Sequence, residues 1–230
     1  MLILAMDTAT PQVAVAIGDG GVVRGEVRVV GGRRHAEQLA PAIRYVCAET
    51  GVRLDRLAAI AVGIGPGLFT GLRVGVTTAK VMAQALRIPV VAVPSLDLIA
   101  SPLRHTNRTI ATVIDARRKE IFSARYRAVP GGVQRDGEYA VGPVEDLVAD
   151  LEATGEEVLL AGDGVSRYRE HFAGMDRVAE AGPEFEAPSV AALVQLATAR
   201  VEREEFTTPW EVHPMYLRES DAELHWETPR

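Results

Sequence analysis

Two aspartates stand where an apolar run gives way to a turn: Asp7 after Leu2 to Met6, and Asp115 after Ile110 to Ile114. Carboxylates facing each other across a cleft can serve as general acid and base, whereas a strand-end aspartate is equally at home as a plain turn residue. Both readings stay open for this pair. With their neighbours, Asp7, Thr8, Asp115, Arg117, Arg118 and Glu120 make the candidate cleft. A turn that cradles phosphate wants glycine two residues after its aspartate, so that backbone amides can approach the ligand. The first turn has Ala9 in that place and then Pro11, which has no amide hydrogen to donate.

Other chemical devices fail when tested singly. A Walker loop needs a second glycine and a lysine where this chain has Thr70 and Gly71, and the dinucleotide fingerprint fails at the same threonine. The five histidines, His35, His105, His171, His213 and His225, contain no pair at the i, i+4 spacing of a helical metal site. Cys47 has apolar neighbours at helical spacing and reads as core. No Gly-x-Ser-x-Gly elbow occurs. Two basic triplets, Arg33, Arg34, His35 and Arg117, Arg118, Lys119, could touch phosphate. No catalytic constellation emerges.

The segment from Leu57 to Leu86 is more telling. Its apolar start, Leu57 to Val62 and then Ile64, suits a strand buried on both faces of a parallel sheet. Gly65, Pro66 and Gly67 break it, Thr70 stands where an N-cap belongs, and residues 71–86 read as a helix. Wound at about 100° per residue, Leu72, Val76, Ala79, Ala83 and Leu86 form one stripe, and Gly71, Gly75, Thr78, Met82 and Ala85 a second, flanked by Val74 and Val81. One stripe would pack on the sheet of the helix's own domain. Since glycine costs about 1 kcal/mol against alanine inside a helix, Gly71 and Gly75 one turn apart imply that another backbone comes close. That backbone could belong to this domain or to a second chain.

These residues are carried by an α/β pattern. Leu2 to Met6, Val13 to Ile17 and Val22 to Val30 read as a three-stranded meander with a turn at Asp19, Gly20 and Gly21. A helix from His35 to Thr50 follows, with Leu39, Ile43, Val46 and Cys47 at helical spacing, Gly51 as C-cap, and Pro41 implying a kink or a later start. Val90 to Val93 is a further strand. The order β-β-β-α-β-α-β is that of ribonuclease-H-like and actin-like folds. It begins again at Ile110: each aspartate is followed six residues later by the next strand, each second strand leads to a Gly-Gly turn, and Gly162, Asp163, Gly164 echo Gly65, Pro66, Gly67. We read two such domains, 1–105 and 106–230, from an internal duplication whose second copy is reduced and ends in a helix from Val190 to Glu204 and an irregular tail.

Composition fits this reading: 230 residues, 47% hydrophobic and 24% charged, describe an ordinary globular chain. A net charge of −6 argues against a surface that is one nucleic-acid footprint. A single cysteine points to a reducing compartment, and the short apolar N-terminus without basic flanks is unlike a signal peptide. The expected location is the cytoplasm.

Gly65, Pro66, Gly67, Leu68, Phe69, Thr70, Gly71, Leu72, Arg73, Val74, Gly75, followed by Ala79 and Lys80, resembles the signature of the bacterial TsaB family. Asp7 and Thr8, Asp115 to Arg118 with Glu120, Gly162 to Gly164, and Pro214 to Arg218 extend the resemblance over nearly the whole chain. The resemblance implies a non-catalytic relative of TsaD, the enzyme that threonylcarbamoylates the adenosine beside the anticodon in tRNAs reading codons that start with A. TsaD carries a metal-binding histidine pair just after the strand equivalent to Val90 to Val93. Pro94, Ser95, Leu96, Asp97, Leu98 and Ile99 stand there instead.

Implied partners are the TsaD-type relative and a TsaE-type ATPase, with tRNA met through the complex, no membrane, and self-association as a homodimer in isolation. No cofactor is expected, except ATP or ADP at the interface with the partner. The resemblance implies docking through helices of the first domain. Periodicity puts Leu39, Ile43, Val46, Gly71, Val74, Gly75, Thr78 and Met82 at that surface, some of the first three facing the core. The rival reading is an ATPase or small-molecule kinase working through the inter-domain cleft. A peptidase label attached to relatives finds neither nucleophile nor metal ligands.

Overall fold

The computed structural model describes residues 1–31 and 34–218. Arg33 of the first basic triplet, His225 and the tail beyond Arg218 lie outside the described residues.

The first half runs β1 (Leu2–Asp7), β2 (Gln12–Asp19), β3 (Val22–Val30), α1 (His35–Thr50), β4 (Ala59–Gly63), α2 (Phe69–Leu86), β5 (Val90–Val93) and α3 (Ser95–Ala100). Its sheet has the order β3-β2-β1-β4-β5, antiparallel across the meander and parallel across β1, β4 and β5. The second half runs β6 (Thr109–Arg117), β7 (Glu120–Val129), β8 (Gly132–Pro143), α4 (Val144–Thr154), β9 (Val158–Ala161), the short α5 (Asp163–Arg167) and α6 (Arg169–Phe172), and β10 (Val178–Glu180). Its order, β8-β7-β6-β9-β10, repeats the first strand for strand. The fold is the expected duplicated actin-like one. The reduction is also plain, since the five-residue α5 stands where the first half has the eighteen-residue α2.

Strands β1, β2 and β4 are buried on both faces, as their unbroken apolar runs require. One face of the first sheet packs Leu4, Met6, Val15, Ile17, Ile60 and Val62 against α1 and α2. The other packs Ile3, Ala5, Ala14, Ala16 and Ala61 against the last helix, α7 (Val190–Glu202). Small residues on that face let α7 come close, and a Cβ on Gly18 would overlap Val194. Ser189 caps α7 by accepting from Ala192 N. The expected boundary therefore needs correction: α7 follows the second half in sequence but completes the sandwich of the first.

The tail also returns to the first half. Val90 and Thr207 exchange backbone hydrogen bonds, Lys80 Nζ donates to Val212 O at 2.9 Å, and Met215 N donates to Ile64 O at 2.7 Å. From there the strap reaches the second half, where Arg218 Nη1 bonds Glu120 Oε2 at 2.6 Å. Asp97 on α3 forms another tie. Its Oδ1 accepts from both Tyr126 and Tyr139 of the second sheet, at 2.8 and 2.7 Å, so those phenols are held protonated by burial and the adjacent carboxylate.

Two local expectations differ from the structure. Pro41 sits inside α1, which starts at His35 and not after the proline. Helix α2 begins at Phe69 with Leu68 in the N-cap place and no side-chain cap, so Thr70 is its second residue and not its cap.

Candidate functional site

Three glycines of the signature, and Gly63 just before it, line up on the first turn. Gly63 at the end of β4, Gly67 in the loop, and Gly71 and Gly75 on α2 recur every four residues. A Cβ on each would overlap, in order, Asp7 Oδ2, Ala9 O, Thr8 O and Thr8 Oγ1. The turn after β1 is thus pressed against the start of α2 along its whole length. Leu68 N donates to Ala9 O at 2.7 Å, and Thr8 Oγ1 donates to Gly71 O at 2.7 Å.

Asp7 is enclosed by the same contacts. Its Oδ1 accepts from Ala9 N at 2.9 Å, and its Oδ2 accepts from Ser95 Oγ at 2.7 Å. Ser95 Oγ in turn accepts from Gly65 N at 3.1 Å. Burial pushes the Asp7 carboxyl above its ordinary range, although the bonds from Ala9 and Ser95 and the nearby His35 pull the other way. His35 Nε2 donates to Thr10 O at 2.8 Å, completing a floor of buried polar groups. The Ala9 amide is turned onto Asp7, and the backbone of α2 lies close against Thr8.

The expectation that Gly71 and Gly75 leave notches for a second chain is therefore corrected: Thr8, from the same domain, fills both. Leu39, Ile43 and Val46 are also corrected, since all three lie in the core under α1. Val74, Thr78 and Met82 are half-buried on the flank of α2. Beside them α1 and α2 expose further residues, of which periodicity marks only Val81 and Ala85, with the second stripe of α2. Tyr45 is 58% exposed and Val81 59%, with Ala40, Pro41, Ala48 and Ala85 also exposed. The outward surface of these two adjoining helices thus carries several alanines together with Tyr45 and Val81, and Phe69 is exposed at the start of α2.

In the second half the corresponding turn is held by other partners. Asp115 is buried and ion-paired to two arginines, with its Oδ2 3.0 Å from Arg117 Nη1 and 3.1 Å from Arg167 Nε. Its Oδ1 accepts from Arg117 N at 2.9 Å, matching the Asp7 to Ala9 bond of the first half, and from Tyr168 OH at 3.1 Å. Asp163 Oδ1 accepts from Asp115 N at 3.1 Å, and burial pushes the Asp163 carboxyl up to about 6. Asp7 and Thr8 thus find these partners in the first half, and Asp115 in the second. Arg118 and Lys119 are exposed at the hairpin tip, and Glu120 is paired with Arg218.

Ser95, Asp97, Asp163, Arg167 and Tyr168 were not among the expected site residues. Only Asp163 carried a signal, as the centre of Gly162-Asp163-Gly164. Where the histidine pair of the catalytic relative would fall, α3 offers Ser95, already bonded to Asp7, and the buried Leu96, Leu98 and Ile99. These residues do not fit a metal, and among the described residues no cluster of three metal-ligating side chains occurs. Among the described residues no helix is long and apolar enough to cross a membrane.

Comparison with known proteins gives a consistent result. The family model of TsaD, tRNA N6-adenosine threonylcarbamoyltransferase, matches residues 19–226. The tRNA threonylcarbamoyladenosine biosynthesis protein TsaB of Bacillus subtilis is 28% identical, the match covering 98% of each chain. An uncharacterised protein of Mycobacterium tuberculosis is 41% identical over 65% of this chain and 67% of its own length. The solved structure of YeaZ from Pseudomonas aeruginosa superposes with a TM-score of 0.82 at 32% identity, covering 94% of this chain and 99% of that one.

Proposed function

The chain belongs to the tRNA N6-adenosine threonylcarbamoyltransferase (TsaD) family, on the branch of TsaB and YeaZ, and from that premise we propose that it works as a non-catalytic subunit. Its role is in tRNA threonylcarbamoyladenosine biosynthesis, where it docks on a TsaD-type catalytic relative and holds that enzyme in a productive state. The observation that carries this reading is the filled first turn. A fold built to hold a nucleotide between two turns has here given one of them to its own helix, through four glycines in register. Outward, among polar residues such as Arg73, Thr77 and Gln84, the same helix exposes Val81 and Ala85.

Docking is assigned to the outward faces of α1 and α2, around Tyr45, Val74, Thr78, Val81 and Met82. Two helices of the partner laid on these would form a four-helix contact. Alanine at positions 40, 48 and 85 allows close approach of helix backbones. Burying Tyr45 and Val81 would contribute about 1.5–3 kcal/mol for a side chain the size of valine and more for tyrosine. An aromatic anchor near the centre of such a patch is the usual hot spot of an interface. By the same family resemblance, the complex includes a TsaE-type ATPase, tRNA is met within the complex, and any nucleotide sits at the interface with the partner. An isolated chain can cover the same surface with a second copy.

The test is co-purification with the catalytic relative. The wild-type chain is expected to be retained stoichiometrically, and Y45E/V81E to be lost while its thermal midpoint stays unchanged. Retention of that double variant would refute the assignment of the surface. An ATPase or kinase role finds less support: it needs phosphate where Thr8 and Gly71 now meet. Turnover of ATP by the isolated chain would revive it.

A further inference from the structure

The strap that runs back over the first half presents a tryptophan in a way that packing alone does not require. Thr208, Pro209, Trp210 and Glu211 make a turn closed by the bond from Glu211 N to Thr208 O at 3.1 Å. Proline stands at its second position, where the ring presets the backbone angle that such a turn needs. Glu211 Oε2 accepts from Thr208 N at 2.9 Å and from Thr208 Oγ1 at 2.8 Å, which staples the turn across its base and holds the Glu211 carboxyl below its ordinary range. One residue earlier, Thr207 is pinned to the edge strand β5 through its two backbone bonds with Val90. On this fixed mount Trp210 is 65% exposed.

Beside the turn lies a groove of about 440 Å³ between the strap and the last turn of α2. Ile88, Pro89 and Pro209 line it with apolar surface, and Phe206, 43% exposed, borders it together with Trp210. Polar groups in it are few. Glu211 is occupied by the turn, whereas the exposed guanidinium of Arg87 pairs with no carboxylate among the described residues. An occupant that satisfies this lining carries an apolar side chain and, close to it, a carboxylate. Gln84 joins the groove to the docking face: it lines the groove and is exposed on α2 three residues after Val81, a rise of about 4.5 Å along the helix.

We propose that this groove takes an apolar side chain with a neighbouring carboxylate from the catalytic relative, Trp210 and Phe206 packing on the apolar group and Arg87 pairing with the acid. The inference rests on the reading under Proposed function, because a partner laid on α1 and α2 reaches the groove by way of Gln84. Tryptophan and arginine are the side chains that most often dominate the energetics of an interface, and a turn set before binding avoids the cost of ordering a loose loop. The stapled turn and the end of α2 supply both. The strap thus becomes a second anchor of the subunit, at one end of the helical contact.

The experiment measures Kd for the catalytic relative by calorimetric titration of the whole chain. W210A is expected to raise Kd about 30-fold or more, the loss of an interface hot spot. R87Q is expected to raise it about tenfold and to flatten its dependence on salt between about 50 and 200 mM, since a screened ion pair is removed. V22A, which truncates a 67% exposed side chain on the outer strand β3, serves as the control and is expected to leave Kd unchanged. Thermal midpoints of all three stay close to wild type, because each side chain stands in water in the isolated chain. Fluorotryptophan incorporated into this chain alone gives a fluorine resonance that W210F identifies by its loss, and that resonance is expected to shift when the relative is added.

An unchanged Kd in W210A, or a Trp210 resonance that does not move, would overturn the proposal, as would an equal loss in V22A. A loss in W210A with R87Q at the wild-type Kd overturns the assignment of the carboxylate. Light scattering distinguishes the other occupant, a second copy of this chain: self-association lost in W210A while the relative still binds at the wild-type Kd overturns the assignment to the relative. Failure of the wild-type chain to bind the relative overturns the subunit reading and this inference together. Binding that Y45E/V81E abolishes and W210A leaves intact overturns only the inference.

Discussion

Gly75→Ala probes the sealed turn directly. In an exposed helix the change gains about 1 kcal/mol of helix propensity. Here the new methyl group overlaps Thr8 Oγ1, in a residue with no exposure, whose hydroxyl donates to Gly71 O. Driving Thr8 aside breaks that bond and leaves a buried hydroxyl unpaired, a cost of about 1–3 kcal/mol. Overpacking adds about 1–3 kcal/mol. Set against the propensity gain, the net loss is about 1–5 kcal/mol, a fall in thermal midpoint of roughly 3–15 °C at about 3 °C per kcal/mol for a chain of this size. Thr8→Ala makes room for the methyl, so the double variant T8A/G75A should recover much of the loss, with a coupling energy of about 1–3 kcal/mol. Thermal and urea unfolding followed by circular dichroism give all four corners of the cycle. If Gly75→Ala stabilises the isolated chain by about 1 kcal/mol, or the two changes add without coupling, the claim that the chain's own turn fills these glycines is wrong.

Other expectations follow from neighbouring groups. Ser95→Ala removes the donor to Asp7 and the acceptor of Gly65 N, and urea unfolding should show a loss of about 2–4 kcal/mol. The Asp163 carboxyl, raised to about 6 from 3.8, holds more protons folded than unfolded across that interval, so stability falls as pH rises through it. The whole shift corresponds to about 3 kcal/mol. Asp163→Asn, which keeps an acceptor for Asp115 N, should therefore stabilise the chain by up to that amount at pH 7.5 and by little at pH 4. Equal effects at both would contradict it. Asp97→Ala strands two tyrosine hydroxyls at the junction of the halves and should lower the unfolding free energy by about 1–3 kcal/mol.

Much of the architecture was legible in the order of the residues. The meander, the duplicated aspartates and the Gly-Gly turns led to two copies of one sheet, and the strand orders agree with that reading. The return of α7 to the first sheet was not legible. A cap and an apolar stripe say that a helix forms at Val190, but not which of two similar sheets it covers; the small side chains of Ala14, Ala16 and Gly18 decide that only once they are seen on one face. The meaning of Gly71 and Gly75 was misread for a similar reason. Spacing of four announces a close approach, while the approaching atom belongs to Thr8, more than sixty residues earlier. A clue lay in Gly63 and Gly67, which continue the same spacing back through the loop where no helix exists. Tyr45 lies outside the periodic stripes and Val81 only flanks one, so neither stands among the expected interface residues, of which the core claims Leu39, Ile43 and Val46.

The direct measurement is tRNA threonylcarbamoylation by the catalytic relative and its ATPase, with and without this chain, together with ATP turnover by this chain alone. The account predicts that modification of the adenosine requires the chain, is lost with Y45E/V81E, and that the chain by itself turns over no ATP. Full modification in its absence, or ATP hydrolysis by the purified chain, would contradict it.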